Sequence, residues 1–261
     1  DLAALELARR AFPDADDAFA EMARLEGQLL LPKPTVHIVS DVHGDDKKLR
    51  HVVNNASGAL RPLVEGLYRG RYAQDDIDRV IALVFYPHET VERLAPPLDQ
   101  ARERERWLVR ALSDVLEVLR AVARRATVHH VQRALPPRYG LLLQELLFDG
   151  ADRGDGYLAA VVGALMPGGR AGHLIRLTAR LARDLAVDEL VVAGDCWDRG
   201  ARGDRVVNGH GKPHTGQLVE IYGPDRVARQ RILLVQHAGV VKNAHHLLQE
   251  PWISTGHVHR R

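Results

Sequence analysis

An α/β fold is what this sequence predicts, and three features predict it. Two β-branched runs, "TVHIVSD" at 35–41 and "DELVVAGD" at 188–195, each end on a carboxylate. The long stretch between them carries apolar residues at helical spacing almost throughout. Strands that alternate with helices and deliver acids at their C-terminal ends are how open α/β sheets build sites, because the loops beyond the strand ends converge there. The expected architecture is a two-layered mixed sheet flanked by helices. Residues 1–261 are expected to form a single domain, with a helical insertion at about 75–160 acting as a cap and a divergent tail at 208–261.

Taken in order, Leu2 to Leu30 reads as helix interrupted at Pro13-Asp14, and the first strand follows. "DDKKLRHVVNNASG" places Leu49, Val52 and Val53 at helical spacing and stops at Gly58. In "ARERERWLVRALSDVLEVLRAVARRA" a stripe runs through Trp107, Ala111, Val115, Leu119 and Val122, with the charges mostly on the other face. The Arg and Glu run at 102–106 alternates in sign, which is a solvated helix start rather than a nucleic-acid surface. "LPPRYGLLLQELLF" begins a helix after a Pro-Pro boundary, whereas "GADRGDGY" (150–157) and "PGGRAGH" (167–173) read as loops from their glycines. A helix at about 173–186 leads into the second strand, and "RQRILLVQHAG" reads as a later strand.

Composition narrows the function classes. An apolar share of 46% is enough for a globular core, and a formal charge of +2 on 261 residues gives no reason to expect a nucleic-acid or acidic-membrane partner. The single cysteine, Cys196, excludes an internal disulfide and fits a reducing compartment. No run approaches the ~18 apolar residues of a membrane span, and the opening "DLAALELARR" lacks a signal-peptide core, so a cytoplasmic location is expected. A first residue of Asp1 rather than Met points to a true N-terminus trimmed or lying upstream. Charge and histidine are unevenly spread. Residues 206–261 hold seven of the fourteen histidines but only three acids, Glu220, Asp225 and Glu250, so the tail has a chemistry of its own.

Two motifs carry chemistry. Asp41-Val42-His43-Gly44 leaves the first strand with a hard carboxylate oxygen and an imidazole nitrogen that can point to one divalent cation. Gly194-Asp195-Cys196-Trp197-Asp198-Arg199-Gly200 leaves the second, where Asp195 can bridge two cations with its two oxygens. In the same motif Asp198 can accept a hydrogen bond from an acid-base histidine, and Arg199 offers a planar fork suited to phosphate oxygens. By themselves these spacings describe a two-metal phosphoester hydrolase.

D-x-H-G followed by G-D-x-x-D-R-G resembles the calcineurin-like metallophosphoesterases. "LPKPTVHIVSDVHGDDKKLRHVVNNASG", "GLYRGRYAQDDIDRVIALVFYP", "ALPPRYGLLLQELLF" and "DELVVAGDCWDRGARGDRVV" together resemble the class III fructose-1,6-bisphosphatases over about residues 25–207. The resemblance implies a calcineurin-like core and a manganese-dependent phosphatase of gluconeogenesis that removes the 1-phosphate of fructose 1,6-bisphosphate. Carried over by residue, Asp41 and His43 would hold one ion and Asp195 would bridge both. Arg199 would clamp the phosphate, and Asp198 would orient the histidine that protonates the leaving alkoxide. The expected partner is a small sugar phosphate, with neither nucleic acid nor membrane; the sequence leaves oligomeric state open.

After Val207 the pattern departs. The family's G-N-H-D strand end is absent, and several tail residues are candidate substitutes. Asn208 and His210 lie only thirteen and fifteen residues after Asp195, which reads either as a ligand loop or as a glycine-rich turn. His237 follows the later strand in the place of the acid histidine or of a metal ligand. His257 and His259, in Gly256-His257-Val258-His259, match the terminal G-H-x-H of the wider superfamily and would give one imidazole to each metal. His245-His246 read as a helix face. Three readings therefore stand at the level of sequence: a complete fructose-bisphosphatase site, a small calcineurin-like phosphoesterase of other specificity, and a truncated or frame-altered chain whose half-site is catalytically impaired.

Overall fold

The computed structural model describes residues 2–32, 35–43, 45–148, 156–193, 218–219 and 231–235. In chain order these form α1 (Leu2–Ala11), α2 (Ala15–Leu29), β1 (Val36–Ser40), α3 (Asp46–Asn54), α4 (Leu60–Tyr68), α5 (Gln74–Phe85), α6 (Pro87–Leu94) and α7 (Ala101–Ala123). They continue with α8 (Val128–Ala134), α9 (Gly140–Leu147), α10 (Gly156–Leu165), α11 (Arg170–Ala186), β2 (Glu189–Ala193), β3 (Leu218–Val219) and β4 (Arg231–Val235). The result is a mostly helical α/β protein with a small sheet. Described residues up to Thr35 and from Asn54 to Ala186 make one compact unit; Val36–Val53 and those from Val187 onward make a second.

The helical unit is organised by α7 and α11, which pack along one another. On α7 the buried positions include Leu108, Ala111, Leu112, Val115, Leu116, Val118, Leu119 and Val122, a stripe at three- and four-residue spacing. The stripe differs from the sequence expectation at its start, where Leu108 is buried and Trp107 only half-buried. Its partner α11 buries Leu174, Ile175, Leu177, Ala179, Leu181, Ala182 and Leu185. Here the loop expected from "PGGRAGH" is corrected. Only Pro167–Gly169 form a short 3-10 turn, with Gly168 and Gly169 at φ of 69° and 70°, and Arg170 already begins α11. Gly172 is helical and buried, and a Cβ added there would lie 3.4 Å from Val91 Cγ1 of α6, at ordinary van der Waals distance.

Local chemistry sets the helix boundaries. Asp14 caps α2 by accepting from the Asp17 backbone N–H at 2.9 Å, which gives the Pro13-Asp14 interruption its physical cause. Pro87 opens α6, where a missing N–H costs no intrahelical bond. Thr90 then ties α6 to α5, its hydroxyl donating to the Ala82 carbonyl at 3.0 Å and to that of Tyr86 at 2.7 Å. Arg120 on α7 donates to the Leu146 carbonyl at 2.6 Å, satisfying an acceptor in the last turn of α9. The α3 helix ends at Asn54, earlier than the Gly58 stop suggests; Gly58 closes a following 3-10 turn at φ 90°. Among the described residues no single helix is long and apolar enough to cross a membrane.

The end of α11 carries two partly shielded charges. The Arg183 guanidinium donates to the Val84 carbonyl, and burial pulls its pKa down to about 10, which leaves it protonated at neutral pH. Burial pushes the Asp184 carboxyl up to about 6, against the pull of Arg180, whose Nε lies 3.6 Å away, and of Arg183. Between the ordinary carboxylate range and pH 6 the folded chain therefore holds a proton that the unfolded chain has released. This contribution to stability is full below about pH 4 and is lost as pH rises through about 6. Urea midpoints measured from pH 4 to pH 7 are expected to fall by less in Asp184→Asn than in the parent chain; parallel curves would refute the assignment.

The second unit contains the sheet, in order β1-β2-β4-β3. β1 runs parallel to β2 and β2 parallel to β4, while the two-residue β3 pairs antiparallel with β4. All three longer strands arise where the β-branched and leucine-rich runs place them. Along β1 exposure alternates: His37 and Val39 are half-buried, and Ile38 and Ser40 are exposed. The mixed sheet is as expected, and one four-stranded sheet is present among the described residues.

Candidate metal centre

Register determines where the strands stop. Ser40 of β1 pairs with Ala193 of β2, and Ala193 with Val235 of β4, so three parallel strands end level. Asp41 is the first residue beyond β1. In the sequence Gly194-Asp195 follows β2 and Gln236-His237 follows β4. Asp195, Asp198, Arg199, His237, His257 and His259, like Asn208, His210, His245 and His246, lie outside the described residues.

Asp41 and His43 are within them and are brought together. Asp41 Oδ1 lies 3.7 Å from His43 Nε2, with side chains 68% and 31% exposed respectively, so a solute can reach both. Their backbones adopt φ of 57° and 47°, the left-handed region that costs an ordinary side chain and that Asp and His enter more readily than most. Between them Val42 turns inward and is buried. Residues held in this region cluster where a surrounding structure overrides local preference, and functional sites are frequent examples. The alternation aims the carboxylate and the imidazole at the same side of the loop.

The pair meets the chemical requirements of a divalent cation. A carboxylate oxygen and an imidazole nitrogen separated by 3.7 Å can both reach one ion at bond lengths of about 2.0–2.3 Å. Among the described residues no group of three or more His, Cys, Asp or Glu forms a metal cluster. By donor type and spacing the pair can supply two donors to such an ion.

Two further side chains belong to this account and were not singled out by sequence reasoning. Asp45 follows the motif, and its carboxylate accepts from the Lys48 backbone N–H at 3.1 Å while Lys48 Nζ lies 3.2 Å from the other oxygen. These bonds, the backbone one foremost, hold its carboxyl below the usual range. An Asp directly before a helical run was the available signal. His37 lies within β1, where burial lowers its pKa and its Nδ1 has no hydrogen-bond partner. Nothing in its sequence surroundings distinguishes it from a strand residue.

The carboxylate–imidazole pair lies just beyond β1, the first of three parallel strands that end level, which is the position where loops converge in open α/β sheets. The family model described as Firmicute fructose-1,6-bisphosphatase matches residues 3–218, and the chain belongs to that family. Similar curated proteins include the class 3 fructose-1,6-bisphosphatase of Porphyromonas gingivalis strain W83, 34% identical over 203 residues, covering 77% of this chain and 30% of the relative. The class 3 enzyme of Parabacteroides distasonis is 32% identical over 202 residues, with 77% and 30% covered. That of Clostridium acetobutylicum is 30% identical over 207 residues, with 78% and 30% covered. The chain therefore spans about 30% of the length of these relatives. No solved structure matches.

Proposed function

We propose that this chain takes part in the metal-dependent hydrolysis of fructose 1,6-bisphosphate to fructose 6-phosphate and phosphate, a step of gluconeogenesis. Membership of the family supports the substrate class, since the similar proteins carry the name fructose-1,6-bisphosphatase. The observation that carries the chemistry is the left-handed Asp41–His43 pair at the end of β1. The core is read as calcineurin-like, supported by the strand-end acids of β1 and β2 in the sequence. A small sugar phosphate is the partner, without nucleic acid or membrane, and the cytoplasm is the location.

Manganese is the proposed cofactor, two ions in all. Bound ions would supply Lewis-acid charge for the phosphoryl oxygens and an acidified water. Asp41 and His43 would hold the first ion, and Asp195, two residues beyond β2, would reach both. Arg199 would orient the phosphate through its two-pronged guanidinium. Asp198 would hold an imidazole, assigned to His237, in position to protonate the leaving sugar oxygen. His257 and His259 would complete the ligand set.

Phosphate release from fructose 1,6-bisphosphate, measured with added manganese and compared with Asp195→Asn, tests this reading. Release that depends on manganese and is lost in the variant is the expected outcome. Absence of release from the parent chain would assign it the impaired role; equal release from unrelated phosphoesters would assign it a different specificity.

A further inference from the structure

We infer that Asp45 is a positioning residue for the carboxylate–imidazole pair, closing the turn that keeps Asp41 and His43 in their left-handed conformations. The inference rests on the proposed reading of that pair as metal ligands. Asp45 is bonded on both sides of its own Cα. Its backbone N–H donates to the Val42 carbonyl at 2.9 Å, which closes the chain just after His43. Its backbone carbonyl accepts from the Leu49 N–H at 3.1 Å, and its carboxylate accepts from the Lys48 N–H at 3.1 Å. One residue thus joins the ligand loop to the first turn of α3.

The two joined segments are each anchored in the interior. Val42 is 7% exposed and Leu49 is 6% exposed, so neither end of the connection is free to shift without uncovering apolar surface. The residues on either side of Val42 hold φ of 57° and 47°, which an untethered L-residue leaves readily for negative φ. Holding both of these residues there takes a restraint on both sides. β1 supplies it before Asp41, through the pairing of Ser40 with Ala193. After His43 it is the Asp45 N–H bond to the Val42 carbonyl, and the Asp45 carboxylate, by accepting from the Lys48 N–H, fixes that residue at the start of α3. A neutral side chain with the same acceptor geometry would serve, because the bond that matters runs from a backbone N–H to a carbonyl-type oxygen.

The experiment compares Asp45→Ala, Asp45→Asn and Lys48→Ala with the parent chain by two readouts. Backbone chemical shifts report the conformations of Asp41 and His43 without metal, and titration followed by the electron spin resonance of free manganese reports affinity. Asp45→Ala is expected to move the shifts of both residues away from left-handed values and to weaken manganese binding by about 10- to 100-fold, the range seen when a partner that orients a ligand is removed. Asp45→Asn is expected to restore both readouts, and Lys48→Ala, which removes only the ammonium partner, to leave them unchanged. Left-handed shifts that persist in Asp45→Ala overturn the inference. Shifts that move in Asp45→Ala while Asp41→Asn binds manganese like the parent support the positioning role and refute the ligand reading.

Discussion

On the proposed function, Asp41→Asn is expected to lower manganese-dependent phosphate release from fructose 1,6-bisphosphate by at least about a hundredfold, since partners that merely orient metal ligands are already worth roughly 10- to 100-fold. Asn is the appropriate substitution. It keeps the shape of the side chain and, like Asp, tolerates the left-handed backbone at φ 57°, so the loop has no reason to rearrange. What it removes is the negative charge that the proposed hard cation would require at this position. The Asp41 side chain is 68% exposed and takes no part in the core, so far-ultraviolet dichroism and the urea midpoint should match the parent. A variant that folds normally and releases phosphate at the parental rate would remove Asp41 from the site.

The second large effect concerns stability. Asp114→Ala is expected to destabilise the helical unit by about 1–3 kcal/mol, the cost of leaving buried hydrogen-bonding groups without their acceptor. The Asp114 side chain is 4% exposed on α7, among leucines and valines. Its Oδ1 accepts from the Tyr72 hydroxyl at 2.8 Å, and its Oδ2 lies 3.5 Å from Arg79 Nη2. Its backbone carbonyl accepts from the buried Tyr68 hydroxyl at 2.7 Å. Burial raises the pKa of this carboxyl, while Tyr72, Arg79 and Arg110 pull it down.

The rings above this carboxylate are themselves packed. Tyr68 and Tyr72 stack with centroids 4.8 Å apart, and the guanidiniums of Arg71 and Arg110 lie 5.0 and 5.3 Å from the respective ring centroids. Truncating Asp114 would strand the Tyr72 hydroxyl without that acceptor, although Arg79 keeps Asp76 at 2.5 Å. Tyr72→Phe, which removes one hydrogen bond and leaves the carboxylate, should cost only about 0.5–1.5 kcal/mol. Urea unfolding checks both. A loss below about 1 kcal/mol in Asp114→Ala would mean that this network is solvated and structurally minor.

The comparison of sequence with structure is sharpest on α7. Period alone predicts a stripe at Ala111, Val115, Leu119 and Val122, and these are buried. Period does not foresee that Asp114, a charged residue, enters the same interior, because its acceptability depends on Tyr68, Tyr72 and Arg79, which lie 35 to 46 positions away in sequence. The glycines of 167–173 divide in the same way. Gly168 and Gly169 need positive φ and make a turn, as glycine pairs suggest. Gly172 is instead a buried helical residue of α11, which a glycine-rich stretch does not foresee. At the candidate metal centre, the strand-end placement of Asp41 and His43 follows from a β-branched run ending on D-x-H. Their closeness, at 3.7 Å, follows from two left-handed residues that local preference disfavours.

The sequence by itself determined the three longer strands, the long helical stretches, the place of Asp41 after the first strand and the family, because periodicity, caps and short motifs are local. Only the tertiary structure decided that three parallel strands end level at Ser40, Ala193 and Val235, that Asp45 ties the Asp41–His43 segment to α3, and that Asp114 is buried. Register and burial are set by pairing between distant segments, and the free energy of a charge or a turn depends on which of those segments surround it.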